Sequence, residues 1–336
     1  MITNLRLENF KGHRDTSVAL KQLTLLVGDN GSGKSSVLEA IRFAATYRLG
    51  EDIADLILRG SSTMRLSFAN SAQTAVLQFM TTEHSYTTSV TALSSTGEIN
   101  PPLDARLSSL RALLGNIGLY RFHSDQVAAS AYSEQSRVSV AEDGAQTAVV
   151  LAALKLADDE AFARIEEAMR GLVPSLQRIR IKPAQVIHPS NPNPVRGSKL
   201  YFDFTAGKDV PAHHASQGTL VLLALLTVLH SADRPKTILL DDVEHALHPR
   251  AQMELIRMIK GLLARDEFQD TQIIAATHSP YVLDEVEPSN VIAFALREDG
   301  TVASKPLSEH PDAAKTNGSL KTGELWSLDA ERDWVR

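Results

Sequence analysis

A chain of 336 residues, 43% of them apolar, has ample material for a buried core, in one large domain or two modest ones. Its net charge of −6 excludes a global basic field, so any contact with nucleic acid must come from a local patch. The absence of cysteine excludes disulfides and thiolate metal sites.

The opening MITNLRLENFKGH has no apolar signal-peptide core. Residues 2–9 and 17–27 read as strands, the first with Leu5 and Leu7 alternating. The second runs into GDNGSGKSS, residues 28–36, which fits G-x-x-x-x-G-K-[ST] with Gly28, Gly33, Lys34 and Ser35 in the fixed places. Glycines let successive backbone N–H groups turn inward on a phosphate, and Lys34 reaches the β- and γ-phosphates. The Ser35 hydroxyl suits Mg²⁺, and the helix that starts here adds its positive end. Asn30, Gly31, Ser32, Gly33, Lys34, Ser35 and Ser36 are the expected cradle, and KSSVLEAIRFAATY carries apolar residues at helical spacing. The chemistry is that of a nucleoside triphosphate site.

Residues 64–92 contain three runs of strand character, and residues 93–109 read as a polar loop. Residues 146–157 and 158–171 read as helices, the second with acids in its first turn. Two strands, LQRIRIK and KLYFDF, flank the turn-rich connector HPSNPNPVRGS. No acid occurs from Met169 to Phe202, while Arg170, Arg178, Arg180, Lys182, Arg196 and Lys199 are basic. That is either a DNA- or partner-facing surface or a solvated hairpin. Residues 216–230 form a nearly all-apolar, hence buried, helix. Its longest apolar stretch, residues 220–229 with Thr227 within it, falls short of the ~20 residues needed to cross a bilayer, so a cytoplasmic protein without membrane contact is expected.

The C-terminal third chooses among nucleotide-binding folds. ILLDDVEHALHP is an apolar strand ending in carboxylates, which would aim Asp241 rigidly at the Mg²⁺ water shell. QIIAATHSP puts His278 at the end of another apolar strand, within reach of a γ-phosphate. ASQGTLVLLALL places Ser216 and Gly218 at a helix start, a ready anion site.

At these residues the chain resembles the ABC-type ATPases of the SMC/RecF-like group, and particularly the compact bacterial ATPases related to the overcoming-lysogenization-defect family. NLRLENFKG with LTLLVGDNGSGKSSVLEAI looks like their opening, and ASQGTLVLLALL is similar to their signature motif. LLDDVEHALHP is similar to their Walker B segment with D-loop, and ATHSPYVLD to their His switch. DGAQTAVVLAAL through LVPSLQRIRI looks like their second lobe, and GELWSLDAERDWV like their end.

The resemblance implies an α/β P-loop ABC-type ATPase head with a mixed sheet core and a helical signature lobe. A P-loop lobe would comprise residues 1–50 and 232–306, with a β-rich insert at about 51–110, a signature lobe at about 111–231 and a tail at 307–336. Two heads would form a homodimer around ATP and Mg²⁺, with Ser216 of one meeting the γ-phosphate bound by Lys34 of the other. Such a switch would control a complex acting on DNA, in genome maintenance or phage defence. The second reading is an ATP-held scaffold for an effector protein, with little turnover. Lys11 and Gly12 would lie near the nucleotide, and Gln126 is the candidate Q-loop metal ligand. Where the family has Glu after the Walker B Asp, this chain has Asp242, whose carboxylate sits roughly 1.5 Å further back. A ~1 Å misplacement can cost about a hundredfold in rate, so slow hydrolysis is expected, with Glu244 the rival base. No long coiled coil is inserted and no Toprim nuclease follows, so an effector or nuclease would be a separate chain.

Overall fold

The protein is described by a computed structural model covering residues 1–48, 51–82, 85–94, 103–133, 137–188, 191–316 and 319–335. Chain contacts divide it into two units. One comprises Met1–Leu119, Pro235–Glu244 and Ile256–Arg336, and the other Tyr120–Arg234 and His245–Leu255.

The first unit is built on a six-stranded sheet of order β14-β13-β3-β12-β11-β7. Its strands are β3 (Leu23–Gly28), β7 (Ile117–Tyr120), β11 (Thr237–Leu240), β12 (Gln272–Ala276), β13 (Val291–Leu296) and β14 (Val302–Pro306). β11, β12, β3 and β13 are mutually parallel, and β14 returns antiparallel on β13. Every residue of β3, β11 and β12 is buried. That is why LTLLV, TILL and QIIAA are continuous apolar runs rather than alternating ones. An antiparallel sheet of order β2-β1-β4-β5-β6 completes the strands of this unit. They are β1 (Asn4–Phe10), β2 (His13–Ala19), β4 (Thr63–Ala69), β5 (Gln73–Thr82) and β6 (Ser85–Ser94). Its inner face carries Leu5, Leu7, Met64, Leu66, Phe68, Leu77 and Phe79, and these share one core with Val37, Leu38 and Ile41 of helix α1 (Lys34–Thr46).

Two expectations change here. The strand foreseen over 17–27 is two strands in different sheets, interrupted where the Lys21 N–H bonds the Thr24 hydroxyl at 2.8 Å. The loop foreseen at 93–109 is overtaken by helix α2 (Leu103–Leu114), since Leu107, Leu110 and Leu114 recur on one buried face that polar neighbours mask in the sequence. Residues 95–102 of that loop lie outside the described residues.

The second unit holds α3 (Ser124–Ala128), α4 (Thr147–Ala157), α5 (Asp159–Leu172) and α6 (Gln217–His230). It also holds a sheet of order β10-β9-β8, formed by β8 (Leu176–His188), β9 (Asn191–Phe204) and β10 (Gly207–Pro211). Asp158 caps α5 by accepting from the Ala161 N–H at 2.8 Å. α6 is buried from Thr219 to Leu229, as its composition requires. The hairpin is longer than foreseen, because β8 and β9 stay paired as far as His188 and Asn191. β8 is an edge strand, the place in a sheet where a proline such as Pro183 is tolerated. Helix α7 (Pro249–Leu263) runs across the division between the units. The first unit ends with short helices α8 (Pro280–Leu283), α9 (Ala313–Thr316), α10 (Thr322–Trp326) and α11 (Glu331–Trp334). Among the described residues no helix is long and apolar enough to cross a membrane.

Candidate nucleotide site

β3 delivers the chain to the loop through Gly28, whose φ of 141° and surroundings admit no side chain. A Cβ there would stand 2.2 Å from the Phe294 carbonyl oxygen of neighbouring β13. Gly33, at φ 100°, is the left-handed cap of α1, and its Cβ would meet His13 Nε2 at 2.9 Å. These two glycines set the turn. Asn30 and Gly31 are exposed at its crest, Ser36 is half-buried, and Ser32 is buried with its hydroxyl unpartnered among the described residues.

Lys34 is buried, and its ammonium folds back to donate to the carbonyls of Gly28 and Asp29, both at 2.9 Å. Burial pushes its pKa down. Asp242 opposes this most strongly, followed by Glu331, Asp241 and Glu244. Ser35 Oγ donates to Asp241 Oδ1 at 3.0 Å. The parallel order β11-β12-β3 brings that carboxylate to the loop from over two hundred residues away. Adjacent oxygens around an octahedral Mg²⁺ lie about 2.9 Å apart, so the Ser35 and Asp241 oxygens fit such an ion.

Asp242 adopts the left-handed conformation at φ 55°, which Asp tolerates better than Glu. The chain therefore turns sharply after β11, and Glu244 reaches across to β12's end. Its Oε1 accepts the His278 N–H at 2.6 Å, while its Oε2 is buried without a partner among the described residues. That second oxygen is a vacant acceptor beside a half-buried His278.

Lys11 is paired with Glu39 of α1, and Gly12 accepts from the Val302 N–H at 2.9 Å. The residue that touches the loop is their neighbour His13. It is fully buried, with Nε2 3.2 Å from the Gly33 carbonyl and Nδ1 3.0 Å from the Thr16 hydroxyl. Burial pushes its pKa down to about 4, so it is neutral and its Nε2–H donates to Gly33. Sequence reasoning missed His13 and also Glu331. Nothing in the local sequence of either residue signals its place beside the loop.

The remaining expected residues lie in the second unit. Ser216 caps α6, accepting from the Thr219 N–H at 3.2 Å. A Cβ on Gly218 would come within 2.7 Å of the Ala246 carbonyl oxygen, so the signature glycine is fitted against the turn that follows Glu244. Gln126 is exposed on α3. The acid-free stretch is not a continuous basic face, because acids just outside it fold back onto it. Arg180 is held by the buried Asp203 at 2.6 Å, Lys182 by Asp209 at 2.8 Å and Arg170 by Glu166 at 3.5 Å. Arg178 and Arg196 stay exposed.

Comparison with known proteins agrees with this geometry. Residues 1–85 match the "AAA ATPase domain" family, and residues 94–284 match the family described as "AAA domain, putative AbiEii toxin, Type IV TA system". The DNA double-strand break repair Rad50 ATPase of Methanococcus maripaludis is 30% identical over 126 residues, which is 34% of this chain and 13% of that protein. Septu protein PtuA of Bacillus thuringiensis is 36% identical over 70 residues, 21% of this chain and 16% of that one. The chain thus matches only a small part of each relative's length. Among solved structures, the SMC head domain from Thermotoga maritima aligns with a TM-score of 0.53 at 16% identity, covering 91% of this chain and 98% of that one. The SMC head bound to the C-winged helix domain of ScpA aligns at 0.58 and 18%, covering 92% and 99%. These carry the SMC/RecF side of the resemblance, while the overcoming-lysogenization-defect side rests on the motifs alone. The match over residues 94–284 takes in more than half of the chain, which therefore belongs to that AAA family and has the fold of an SMC head.

Proposed function

We propose that this ATPase is a switch: it closes head to head with a second copy around two ATP molecules, slowly hydrolyses them, and so controls a DNA-associated complex in genome maintenance or defence. The observation that carries the reading is the 3.0 Å bond between Ser35 and Asp241, which unites the phosphate loop with the second carboxylate motif. Lys34 and the loop amides bind the β- and γ-phosphates, and Ser35 with Asp241 would hold a divalent cation. A bound Mg²⁺ would neutralise charge on the phosphate oxygens. Asp242 orients and deprotonates the attacking water, Glu244 fixes the backbone of His278, and His278 senses the γ-phosphate. Ser216 and Gly218 of the second copy complete the site. Rad50 and PtuA, named for DNA repair and for Septu respectively, support the choice between maintenance and defence. A separate effector or nuclease chain is the expected partner. DNA contact would fall to the exposed Arg178 and Arg196, and wild-type protein showing no salt-sensitive DNA association would remove it.

The scaffold reading, ATP-held with little turnover, is favoured by one feature. The short Asp242 stands on a left-handed backbone where a longer acid would be strained. Lys34→Ala tests the site itself: a folded variant should lose ATP binding and hydrolysis, and near-normal hydrolysis by it would refute the phosphate-loop assignment.

A further inference from the structure

The Gly33 carbonyl takes two hydrogen bonds from different parts of the fold. One comes from the Val37 N–H at 3.2 Å, within the first turn of α1. The other comes from His13 Nε2 at 3.2 Å, at the start of β2 in the antiparallel sheet. A carbonyl only accepts, so Nε2 carries the proton, and a neutral ring leaves Nδ1 as an acceptor. The Thr16 hydroxyl, 3.0 Å from Nδ1, donates to it. The Val302 carbonyl, 3.5 Å away, is the weaker alternative for that proton. His13 and Thr16 are both buried, so bulk water does not stand in for either partner.

Gly33 is where the loop becomes helix. It caps α1 in the left-handed conformation, offers no side-chain cap, and is followed directly by Lys34 and Ser35. A Cβ on it would stand 2.9 Å from both His13 Nε2 and Val302 Cγ2, so the ring and β14 wall it closely. The Gly33 carbonyl and the Lys34 N–H belong to one trans peptide and point opposite ways. Holding the carbonyl toward β2 therefore turns the Lys34 N–H away from His13. That N–H is one of the helix-terminal amides a phosphate takes.

We propose that His13 is a positioning residue for the nucleotide: it holds the Gly33–Lys34 peptide plane so that the Lys34 N–H is set for a phosphate oxygen before ATP arrives. Thr16 fixes the tautomer that makes this possible. Without the imidazole bond the peptide can rotate, binding must reorder the loop, and affinity falls while the bound complex reacts as before.

The inference rests on the phosphate-loop reading of residues 28–36. Equilibrium binding of a fluorescent ATP analogue with Mg²⁺ to the full chain, with single-turnover hydrolysis at saturating ATP, tests it. His13→Met fills similar space without a donor, leaving the Gly33 carbonyl to Val37 and the Thr16 hydroxyl to Val302. It should weaken binding by at least about threefold, with the saturated rate changed by less than about twofold. His13→Gln, whose amide reaches about as far as Nε2, should recover most of that affinity. A smaller loss in folded His13→Met, an equal loss in His13→Gln, or a loss that lies wholly in the saturated rate overturns the proposal. Should His13→Met fail to fold, His13→Asn takes its place, since its amide stands near Nδ1 and falls short of Gly33. Failure of both to fold would make His13 a structural residue and overturn the proposal too. Lys34→Ala separates the two readings. If it binds ATP like the wild type, the loop reading fails, whereas if it loses binding and His13→Met does not, this inference alone falls.

Discussion

Asp242 is where the proposed mechanism is most exposed to experiment. It stands at φ 55°, a conformation that costs most residues roughly 1–2 kcal/mol but that Asp and Asn visit readily. Asp242→Asn should therefore keep the turn while losing the capacity to accept the water's proton, along with the negative charge that supports Lys34. Loss of a positioned general base typically costs about 10²–10⁴-fold, which at the lower bound is about 2.7 kcal/mol of transition-state stabilisation. Asp242→Glu gains roughly 1.5 Å of reach at a backbone cost of about 1 kcal/mol, so it should be less stable yet hydrolyse at least as fast as the wild type. Glu244→Gln keeps an acceptor for the His278 N–H, now neutral where the 2.6 Å bond had been charge-assisted. The loss is on the order of 1 kcal/mol, so its effect should stay near tenfold. Single-turnover hydrolysis at saturating ATP compares the three without interference from binding. If Asp242→Asn turns over like the wild type and Glu244→Gln is dead, the unpartnered Oε2 of Glu244 is the acceptor and Asp242 a structural acid.

His13 predicts a pH dependence of stability. Its folded pKa of about 4 lies below the unfolded value near 6.5, so below pH 6.5 the unfolded chain binds the proton first. His13 therefore costs nothing above pH 6.5, and stability falls progressively between pH 6.5 and 4, by up to about 3 kcal/mol. Urea unfolding across that range should show this slope reduced in His13→Gln, and an unchanged slope would contradict the buried neutral imidazole. Ser216→Arg should leave nucleotide binding by the single head intact while abolishing ATP-dependent dimerisation and hydrolysis together, as read by analytical ultracentrifugation with a non-hydrolysable ATP. Normal hydrolysis by that variant would show that each head carries a complete site.

The phosphate loop was legible because its chemistry is local. Gly28, Gly33, Lys34 and Ser35 are contiguous, and their conformation follows from their own backbone needs. Asp241 was legible for a different reason: a buried parallel strand reads as an unbroken apolar run, and the acid that ends it has one direction to point. What stayed hidden depends on partners remote in sequence. Nothing in HRDTSVA marks His13 as the support of Gly33, since the contact exists only once β2 lies beside the start of α1. The basic stretch looked uncompensated because Asp203 and Asp209 lie just beyond its end and return to it through the β9–β10 turn. Glu331 looked like one charge among several in DAERDW until folding buried it.

The carboxylates after β11 acquire distinct tasks from one backbone feature. With a helical Asp242, Asp241 and Glu244 would lie three residues apart on one face, and nothing would force them toward different partners. The left-handed turn divides them: Asp241 is held by Ser35 on the phosphate-loop side, and Glu244 by the His278 N–H on the other. Val243, between them, anchors the turn through its N–H to the Ala276 carbonyl at 3.2 Å. The turn is thus fastened on both sides, and Asp242 is the member left at its apex. A site so tied is suited to reporting whether a γ-phosphate is present, which is what a switch requires. Fast turnover would need the apical acid to reach further than an aspartate does.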